Sequence, residues 1–341
     1  MSNELGVGII GTGWVSNEHI RAYRQNPYTE VRGIAGSERS RAAAKIQEWN
    51  LDHCRAYADV HEMLKDDAIN IVSICTPHHL HKEQGVDCAE AGRHILMEKP
   101  MAVDLEGVRA LDAAVRKAGV KSLVSFVLRW NPLVENIKAL LAQGMVGPLS
   151  YADVDYMHGI GPWYSGYGWI RKKASGRNNL LAAGCHAVDA LRWFVGSDAI
   201  EVFAYANTGA HNRMQFEYET NSITAVKFAN GTIGKVGCTI EGVMPYVFNI
   251  MLVGEEGTIR NNQVFTRRWP GQKDWATIPT ILPDTADVDH HPFGAEIDHF
   301  VHCIRNDMES HCNFADAAKT HEICLAMEVS AHERRPVSLP L

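Results

Sequence analysis

Short apolar runs alternate with amphipathic stretches over the first third of the chain. Apolar residues at helical spacing predict helices that begin near Trp14 and cover 41–49, 81–91 and 105–118. The run at 69–75 is apolar at nearly every position, as in a strand whose sheet is covered on both faces. This alternation predicts right-handed βαβ units around a doubly wound parallel sheet. The predicted strands are 6–10, 31–35, 69–75, 94–97 and 120–126.

The pattern changes after Asn131-Pro132. A predicted helix at 133–142 is followed by alternating runs with strand character, separated by turn signals such as Asn230-Gly231. The pattern from Pro292 to Glu333 is helical again. We therefore expect two domains, 1–126 and 127–341, the second an α+β domain with a large, mostly antiparallel open sheet. Its predicted strands are 149–157, 200–206, 222–228, 232–240 and 248–253.

A glycine pair ends the first predicted strand. Gly11 permits a tight turn, and Gly13 lets the backbone approach a pyrophosphate at the start of the next helix. Ser16 takes the place of the usual third glycine or alanine and is small enough for close packing. The position of the pair between strand and helix favours a dinucleotide site over a purely structural turn. Its expected cofactor-binding residues are Gly11, Thr12, Gly13, Trp14 and Val15.

The end of the second predicted strand bears on the choice between NAD and NADP. Gly36 stands where an acid usually binds the ribose 2′-hydroxyl. The residues that follow include a hydroxyl, Ser37, and two arginines, Arg39 and Arg41, which suit a 2′-phosphate and favour NADP. The alternative is that Glu38 binds the ribose of NAD and that both arginines are exposed.

Two further segments follow predicted parallel strands and point to the edge of the sheet where open α/β sheets bind ligands. Cys75, Thr76, Pro77 and His78 follow the third strand, and Glu98 and Lys99 follow the fourth. We expect all six residues at the cofactor site.

Composition narrows the class of protein. The 341 residues are 46% hydrophobic and 21% charged, with a formal charge of −7 and no basic block, which argues against nucleic acid as a partner. No apolar run is long enough to span a membrane, and the first residues lack a secretory pattern, so we expect a cytoplasmic protein. Eight cysteines without a CxxC pair, and histidines without metal-site spacing, predict neither disulfides nor a metal.

Four motifs follow one another along the chain: GIIGTGWVS, TPHHLH, AGRHILMEKP and RWNP. In their order and spacing the chain resembles the glucose–fructose oxidoreductase / inositol dehydrogenase / rhizopine-catabolism (Gfo/Idh/MocA) family, and the resemblance covers the whole chain. It implies a Rossmann domain and an open-sheet domain used for oligomerisation, here a homodimer or homotetramer. It also implies that Glu98-Lys99-Pro100 lies beside the nicotinamide, with a cis proline, and that His81 and Arg129 belong to the cofactor site. Lys99 is then a catalytic residue that binds the reacting hydroxyl or helps deprotonate it.

The second catalytic motif of this family, Asp-x-Gly-x-His-x-x-Asp, is matched only in part. The chain reads AAGCHAVD, which keeps His186 and Asp189 but has Ala182 in place of the first acid. The resemblance makes His186 the candidate general base, a role that suits the pKa range of imidazole. Asp189 orients that ring or binds substrate, or is a structural ion pair. Asn178 and Asn179 are polar candidates for substrate hydroxyls.

A loop rich in aromatic residues and glycines precedes this motif. Trp163 and Tyr164 suit stacking on the apolar face of a sugar ring, although a core or interface loop is an alternative.

The predicted function is an NAD(P)-dependent oxidoreductase that transfers a hydride between nicotinamide and a secondary alcohol of a sugar, cyclitol or glycoside. A redox-neutral, NAD-dependent glycoside hydrolase and a non-catalytic dinucleotide or sugar sensor remain alternatives.

Overall fold

The computed structural model describes residues 4–280 and 291–341. The chain divides into two compact units. Unit 1 comprises the residues up to Phe126 together with Pro292–Ala318, and unit 2 comprises Val127–His291 and Lys319–Leu341.

Unit 1 is built on a parallel six-stranded sheet with the order β3-β2-β1-β4-β5-β6. The strand order reverses between β1 and β4, so the carboxyl ends of these two strands flank a ligand-binding crevice typical of this topology. The strands are β1 (Leu5–Ile10), β2 (Thr29–Ala35), β3 (Arg55–Tyr57), β4 (Ile71–Ile74), β5 (His94–Met97) and β6 (Ser122–Val124).

Helices cover this sheet because its strands are apolar on both faces; every residue of β4, for example, is buried. Helix α5 ends at Gly119, whose φ of +68° gives the left-handed cap that glycine adopts without strain. The helices of unit 1 are α1 (Trp14–Gln25), α2 (Arg39–Trp49), α3 (Val60–Met63), α4 (His81–Glu90), α5 (Leu105–Ala118) and α10 (Phe293–Arg305).

Unit 2 contains a nine-stranded sheet with the order β14-β13-β12-β11-β7-β10-β9-β8-β15. Its pairs are antiparallel except that β7 and β10 run parallel. The strands are β7 (Leu149–Met157), β8 (Ala199–Asn207), β9 (Asn221–Phe228), β10 (Ile233–Thr239), β11 (Val247–Gly254), β12 (Gly257–Arg260), β13 (Gln263–Thr266), β14 (Ala276–Thr277) and β15 (Val337–Ser338).

One face of this sheet packs on α9, which is buried along most of its length and contacts β7 and β10. The helices of unit 2 are α6 (Pro132–Ala142), α7 (Tyr167–Ile170), α8 (Lys173–Gly176) and α9 (Cys185–Val195), and α11 (Phe314–Glu333) extends across the division between the units. A single π-helical turn, Leu180–Gly184, leads directly into α9.

The predicted fold class is confirmed: a parallel doubly wound sheet is followed by a large, mostly antiparallel one. The predicted division into domains 1–126 and 127–341 stays a prediction. In the structure, Pro292–Ala318 groups with the residues up to Phe126 in unit 1. Apolar residues of α10, including Phe293, Ile297 and Phe300, are buried and the helix lies against α1. Within the described residues, no helix is long and apolar enough to cross a membrane.

Candidate active site

The turn between β1 and α1 forms a backbone cradle. Gly11 has φ +106°, and a Cβ at this position would meet the Cys75 carbonyl oxygen at 2.5 Å. Gly13 is exposed at the N-terminus of α1, and a Cβ built there meets no atom within 4 Å. The first turn of α1 contains no acidic side chain. Open N–H groups and the positive end of the helix dipole fit the pyrophosphate of a dinucleotide.

The segment after β2 is exposed and rich in polar residues. Arg39 donates hydrogen bonds to Glu62 Oε1 at 2.6 Å and to the Ala56 carbonyl at 2.7 Å. Arg41 donates to Ser37 Oγ at 3.4 Å. Arg39 is therefore held against α3, whereas Ser37 and Arg41 form an exposed pair at the place where a ribose 2′ substituent binds in this topology.

His81 joins the loops that follow β4 and β5. Its ring is fully buried, with Nδ1 2.7 Å from the Pro100 carbonyl and Nε2 2.8 Å from the Thr76 carbonyl. Burial lowers the pKa of His81 although both carbonyls favour the charged ring. The neutral ring donates one N–H, so His81 acts as a brace between the two loops that carry Thr76 and Lys99.

Lys99 directly follows β5 and is half-buried. Its backbone N–H donates to Oε2 of Glu98 at 3.2 Å, and the Lys99–Pro100 peptide is cis. Glu98 Oε1 in turn lies 3.1 Å from Nε2 of His19, a buried residue of α1. Burial raises the pKa of the Glu98 carboxyl, but the hydrogen bond and charge of His19 outweigh it and lower that pKa. Glu98 is therefore a carboxylate that accepts a hydrogen bond from the backbone of Lys99.

In unit 2, His186 lies in the first turn of α9, which begins directly after the π-turn. The imidazole is largely buried and nearly parallel to the ring of Tyr156, with centroids 6.4 Å apart and an interplanar angle of 18°. The ring of His291 lies on another side, at 6.5 Å. Burial raises the pKa of the Tyr156 phenol well above its usual value, so this neighbour keeps its proton at neutral pH.

Aromatic rings continue outward from Tyr156. Tyr246 lies edge-on to it at 5.1 Å, His158 follows at 5.5 Å from Tyr246, and Trp163 lies 5.8 Å from His158. Trp163 is 68% exposed, which is unusual for tryptophan. We call Tyr156, His158, Trp163, Tyr164 and Tyr246 the aromatic wall. It provides π faces in the unit that contains His186.

Asp189 and Arg129 bind each other. Arg129 Nε donates to Oδ2 of Asp189 at 2.7 Å and Nη2 donates to Oδ1 at 2.6 Å, with both side chains almost fully buried. Thr320 donates to the same carboxylate at 3.0 Å. This two-pronged pair fixes α9 to the segment before α6. Its carboxylate is committed to protein partners, which favours a structural role over substrate binding.

Asn178 and Asn179 are likewise buried, with protein partners. Asn178 donates to the Cys324 carbonyl at 3.2 Å and accepts from the Leu181 N–H at 2.8 Å. Asn179 donates to Ser222 Oγ at 2.8 Å. These contacts assign both amides to holding the turn that precedes His186. Ala182 lies within that turn and is buried.

The described part of the chain contains no group of three His, Cys, Asp or Glu residues arranged to hold a metal ion. His290, one of the histidines considered for such a site, lies outside the described residues. Within residues 4–280 and 291–341, no disulfide joins the cysteines.

Models of known protein families identify the family of this chain. A model described as "Oxidoreductase family, NAD-binding Rossmann fold" matches residues 5–126, and the GFO/IDH/MocA C-terminal domain matches residues 134–260. The chain belongs to the Gfo/Idh/MocA family. It is an oxidoreductase with an NAD-binding Rossmann domain.

Named relatives extend this result. Levoglucosan dehydrogenase of Pseudarthrobacter phenanthrenivorans is 27% identical over 85% of this chain and 82% of its own length. The scyllo-inositol 2-dehydrogenase (NAD(+)) of Bacillus subtilis is 24% identical over 99% of this chain and 97% of its own length. A solved levoglucosan dehydrogenase complex with NADH and levoglucosan has a TM-score of 0.88 at 24% identity, covering 99% of this chain and all of that chain. At this identity the structural match shows the fold alone.

Several residues of the candidate site were not predicted from the sequence. His19 lies on the buried face of α1, and Tyr246 and His291 lie far from the motifs in sequence. A histidine on the apolar face of the first helix was the available signal for His19, whereas no local pattern distinguishes Tyr246 from a core tyrosine.

We expect the buried Arg129–Asp189 pair to be important for stability. Arg129→Met removes the closest cation of a buried carboxylate and leaves Arg192 Nη1 3.9 Å from Asp189 Oδ1, so we expect a cost of about 3 kcal/mol and a midpoint of thermal unfolding lower by roughly 6 °C. The matched control is Arg116→Met, which removes an exposed partner of Asp112 and changes stability by less than about 1 kcal/mol. Equal midpoints for the two variants in differential scanning fluorimetry would contradict this assignment.

Proposed function

We propose that the protein is an NAD(P)-dependent dehydrogenase or reductase acting on a secondary alcohol of a sugar, cyclitol or glycoside. The observation that carries the proposal is Lys99, which follows a parallel strand at the sheet edge where Gly11 and Gly13 form the dinucleotide turn. Relatives named for levoglucosan and scyllo-inositol support the substrate class. When bound, the nicotinamide supplies the acceptor or donor of the hydride.

Lys99 is suited to hold the reacting hydroxyl. A primary ammonium donates hydrogen bonds to an alcohol oxygen and stabilises negative charge that develops there as the hydroxyl proton leaves. The contact from its backbone N–H to Glu98, at 3.2 Å, fixes the start of the side chain. His81 braces the same loop through the Pro100 carbonyl.

His186 is suited to accept the hydroxyl proton. Imidazole exchanges protons near neutral pH, and the ring of His186 lies nearly parallel to that of Tyr156 with centroids 6.4 Å apart. Asp189 lies one helical turn further along α9 but binds Arg129, so it supports the helix and not the proton transfer. With alanine at 182, Lys99 and His186 carry the acid–base chemistry in our proposal.

The aromatic wall provides the binding surface for substrate. Exposed Trp163 and half-buried Tyr164 present ring faces that pack on the apolar C–H face of a sugar or cyclitol. Such packing orients a polyol while leaving its hydroxyls free for polar groups.

Ser37 and Arg41 support a preference for NADP over NAD. No carboxylate directly follows β2, where Gly36 stands, and the exposed hydroxyl and guanidinium lie next to each other. Arg39 contributes less to binding of the 2′-phosphate, because Glu62 already binds its guanidinium.

The open face of the sheet in unit 2 is the proposed surface for a homodimer or homotetramer. Tyr205 and Ile223 are cross-strand partners on β8 and β9, and they are 69% and 62% exposed. Ile233 on β10 is 56% exposed. Large apolar side chains clustered on one exposed sheet face favour burial against a second copy of the chain.

A screen of sugars and cyclitols with NAD and NADP, followed by absorbance of the reduced cofactor, tests the reaction. On the best substrate we expect Lys99→Ala and His186→Ala each to lower kcat/KM by about 10²- to 10⁴-fold. Lys117→Ala, an exposed lysine of α5, is the control and keeps full activity. Unchanged activity in Lys99→Ala would overturn the mechanism. Glycoside cleavage without net cofactor reduction indicates the hydrolase, and tight cofactor binding without any turnover indicates the sensor.

Cofactor preference is tested by fluorescence titration of the protein with NADP and NAD. Loss of a charged contact to the 2′-phosphate in Arg41→Ala weakens NADP binding by about tenfold and leaves NAD binding unchanged. Arg39→Ala is the matched control and affects NADP less. Tighter binding of NAD than of NADP by the unmodified protein, or an equal loss for both cofactors in Arg41→Ala, counts against the NADP preference.

The oligomer is tested by light scattering coupled to size-exclusion chromatography. Ile223→Lys places a charge on the open sheet face and shifts the protein towards the monomer, because a buried unpaired ammonium is costly. Met308→Lys makes the same type of change on a residue of unit 1 that is 50% exposed and leaves the mass unchanged. A monomeric unmodified protein, or an oligomer that tolerates Ile223→Lys, excludes this surface as the interface.

A further inference from the structure

Unit 1 contains a buried polar cluster of which the proposed chemistry uses Glu98 alone. Its members come from separate elements and are almost fully enclosed by protein. They are His19 of α1, Ser73 of β4, Glu98 after β5, Ser125 after β6 and Glu296 of α10. We call this set the acid–imidazole cluster.

Hydrogen bonds join the members of the cluster, and Ser125 interacts with both carboxyls. His19 bridges Ser73 and Glu98, with Nδ1 2.6 Å from Ser73 Oγ and Nε2 3.1 Å from Glu98 Oε1. Ser125 donates to Oε2 of Glu296 at 3.0 Å. The second oxygen of Glu296, Oε1, is enclosed and has no hydrogen-bond partner in the described part of the protein.

The charges of the cluster favour one proton on Glu296. His19 and Lys99 both act on Glu98, whereas Glu296 is fully buried and its hydrogen-bond donor is the neutral Ser125, so an ionised Glu296 would be costly. Glu98 has the nearer cation, because it contacts His19 directly. Burial and, to a smaller extent, the charge of Glu98 raise the pKa of Glu296 to about 8. Burial alone would lower the pKa of His19, but Cys75 and Glu98 outweigh it and raise that pKa well above its usual value.

Among the described residues, three further groups act on this cluster: Tyr23, Cys75 and Lys99. From α1, Tyr23 faces Glu296, and burial raises the pKa of its phenol well above the usual value, so it stays neutral. From the end of β4 the thiol of Cys75 faces His19. Lys99 acts on Glu98, whose Oε2 accepts the Lys99 backbone N–H.

We propose that Glu296 is a positioning residue that carries a proton at neutral pH, so that Glu98 remains the one carboxylate of the cluster and holds the backbone of Lys99. The part of this proposal that concerns Lys99 rests on the proposed function. Ionisation of Glu296 would place a second negative charge beside Glu98 and draw on the same imidazolium. The contact that orients Lys99 would then weaken at alkaline pH.

Thermal unfolding as a function of pH tests the proton without reference to any reaction. A carboxyl with a raised pKa in the folded state binds a proton that the unfolded chain has released above pH about 4.5. Its stabilising contribution is present below that pH and is lost as pH rises to about 8. Glu296→Gln has no such proton. We therefore expect its unfolding midpoint to rise relative to the unmodified protein by about 3 °C per pH unit between these limits.

The control is Glu90→Gln, which changes an exposed glutamate of α4 in the same unit. Its midpoint runs parallel to that of the unmodified protein. Parallel curves for Glu296→Gln as well would overturn the proposal. Should Glu296→Gln fail to fold, the infrared band of a protonated carboxyl in the unmodified, ¹³C-glutamate-labelled protein gives the answer. The band is present near pH 6 and lost near pH 9 if Glu296 titrates as proposed, and its absence at both pH values overturns the proposal.

Kinetics then test the link to Lys99. In the unmodified protein we expect an alkaline decline of kcat/KM with its midpoint near the pKa of Glu296, about 8, and we expect Glu296→Gln to lack that decline. If kcat/KM declines at the same alkaline pH in both proteins, Glu296 does not influence Lys99 and the proposed link is overturned. If the unmodified protein oxidises no alcohol, the proposed function fails, whereas the unfolding experiment still decides whether Glu296 holds the proton.

Discussion

The close approach of Gly11 to the Cys75 carbonyl is the constraint on which unit 1 depends. A Cβ at Gly11 would meet that oxygen at 2.5 Å, so the chain can leave β1 beside β4 only through glycine. The turn that results points the N-terminus of α1 at the ligand edge and lays the buried face of the same helix over the sheet. His19 on that face then reaches Ser73 and Glu98. The contact between Gly11 and the Cys75 carbonyl thus positions both the cofactor cradle and His19, which contacts Glu98 beside Lys99.

Unit 2 reaches a comparable result with an ion pair. Asp189 on α9 binds Arg129 through two hydrogen bonds, and removing either partner would take the closest opposite charge from a buried group. The pair fixes α9 along its axis, and His186 lies one turn earlier on the same helix. The ring of Tyr156 lies nearly parallel to that imidazole. Asp189 matches a catalytic motif of the family but can therefore act as a supporting residue. In that role it contributes to the reaction by holding His186 in a fixed position.

The sequence predicted much of the fold because hydrophobic periodicity reports local structure directly. The bounds expected for β5, α5 and β7 are those observed. The same pattern could not show where α10 packs, since an amphipathic helix reveals that it has an apolar face and not which sheet will cover it. Arg129 and Asp189 were each singled out, but their pairing across the chain was not, because it depends on tertiary structure. Glu296 carried no motif at all, and its importance comes from burial, which only the folded chain defines.

The two buried charge clusters follow one rule with different outcomes. Asp189 has a guanidinium at hydrogen-bond distance, so its charge is compensated within the pair. Glu98 has His19 at 3.1 Å and is also acted on by Lys99. Glu296 is buried, accepts its hydrogen bond from Ser125 and faces the charge of Glu98, so its ionised form would be costly. The two proposed reacting residues thus have supports of different kinds: an ion pair on α9 for His186 and, in our proposal, a titratable carboxyl beside Glu98 for Lys99.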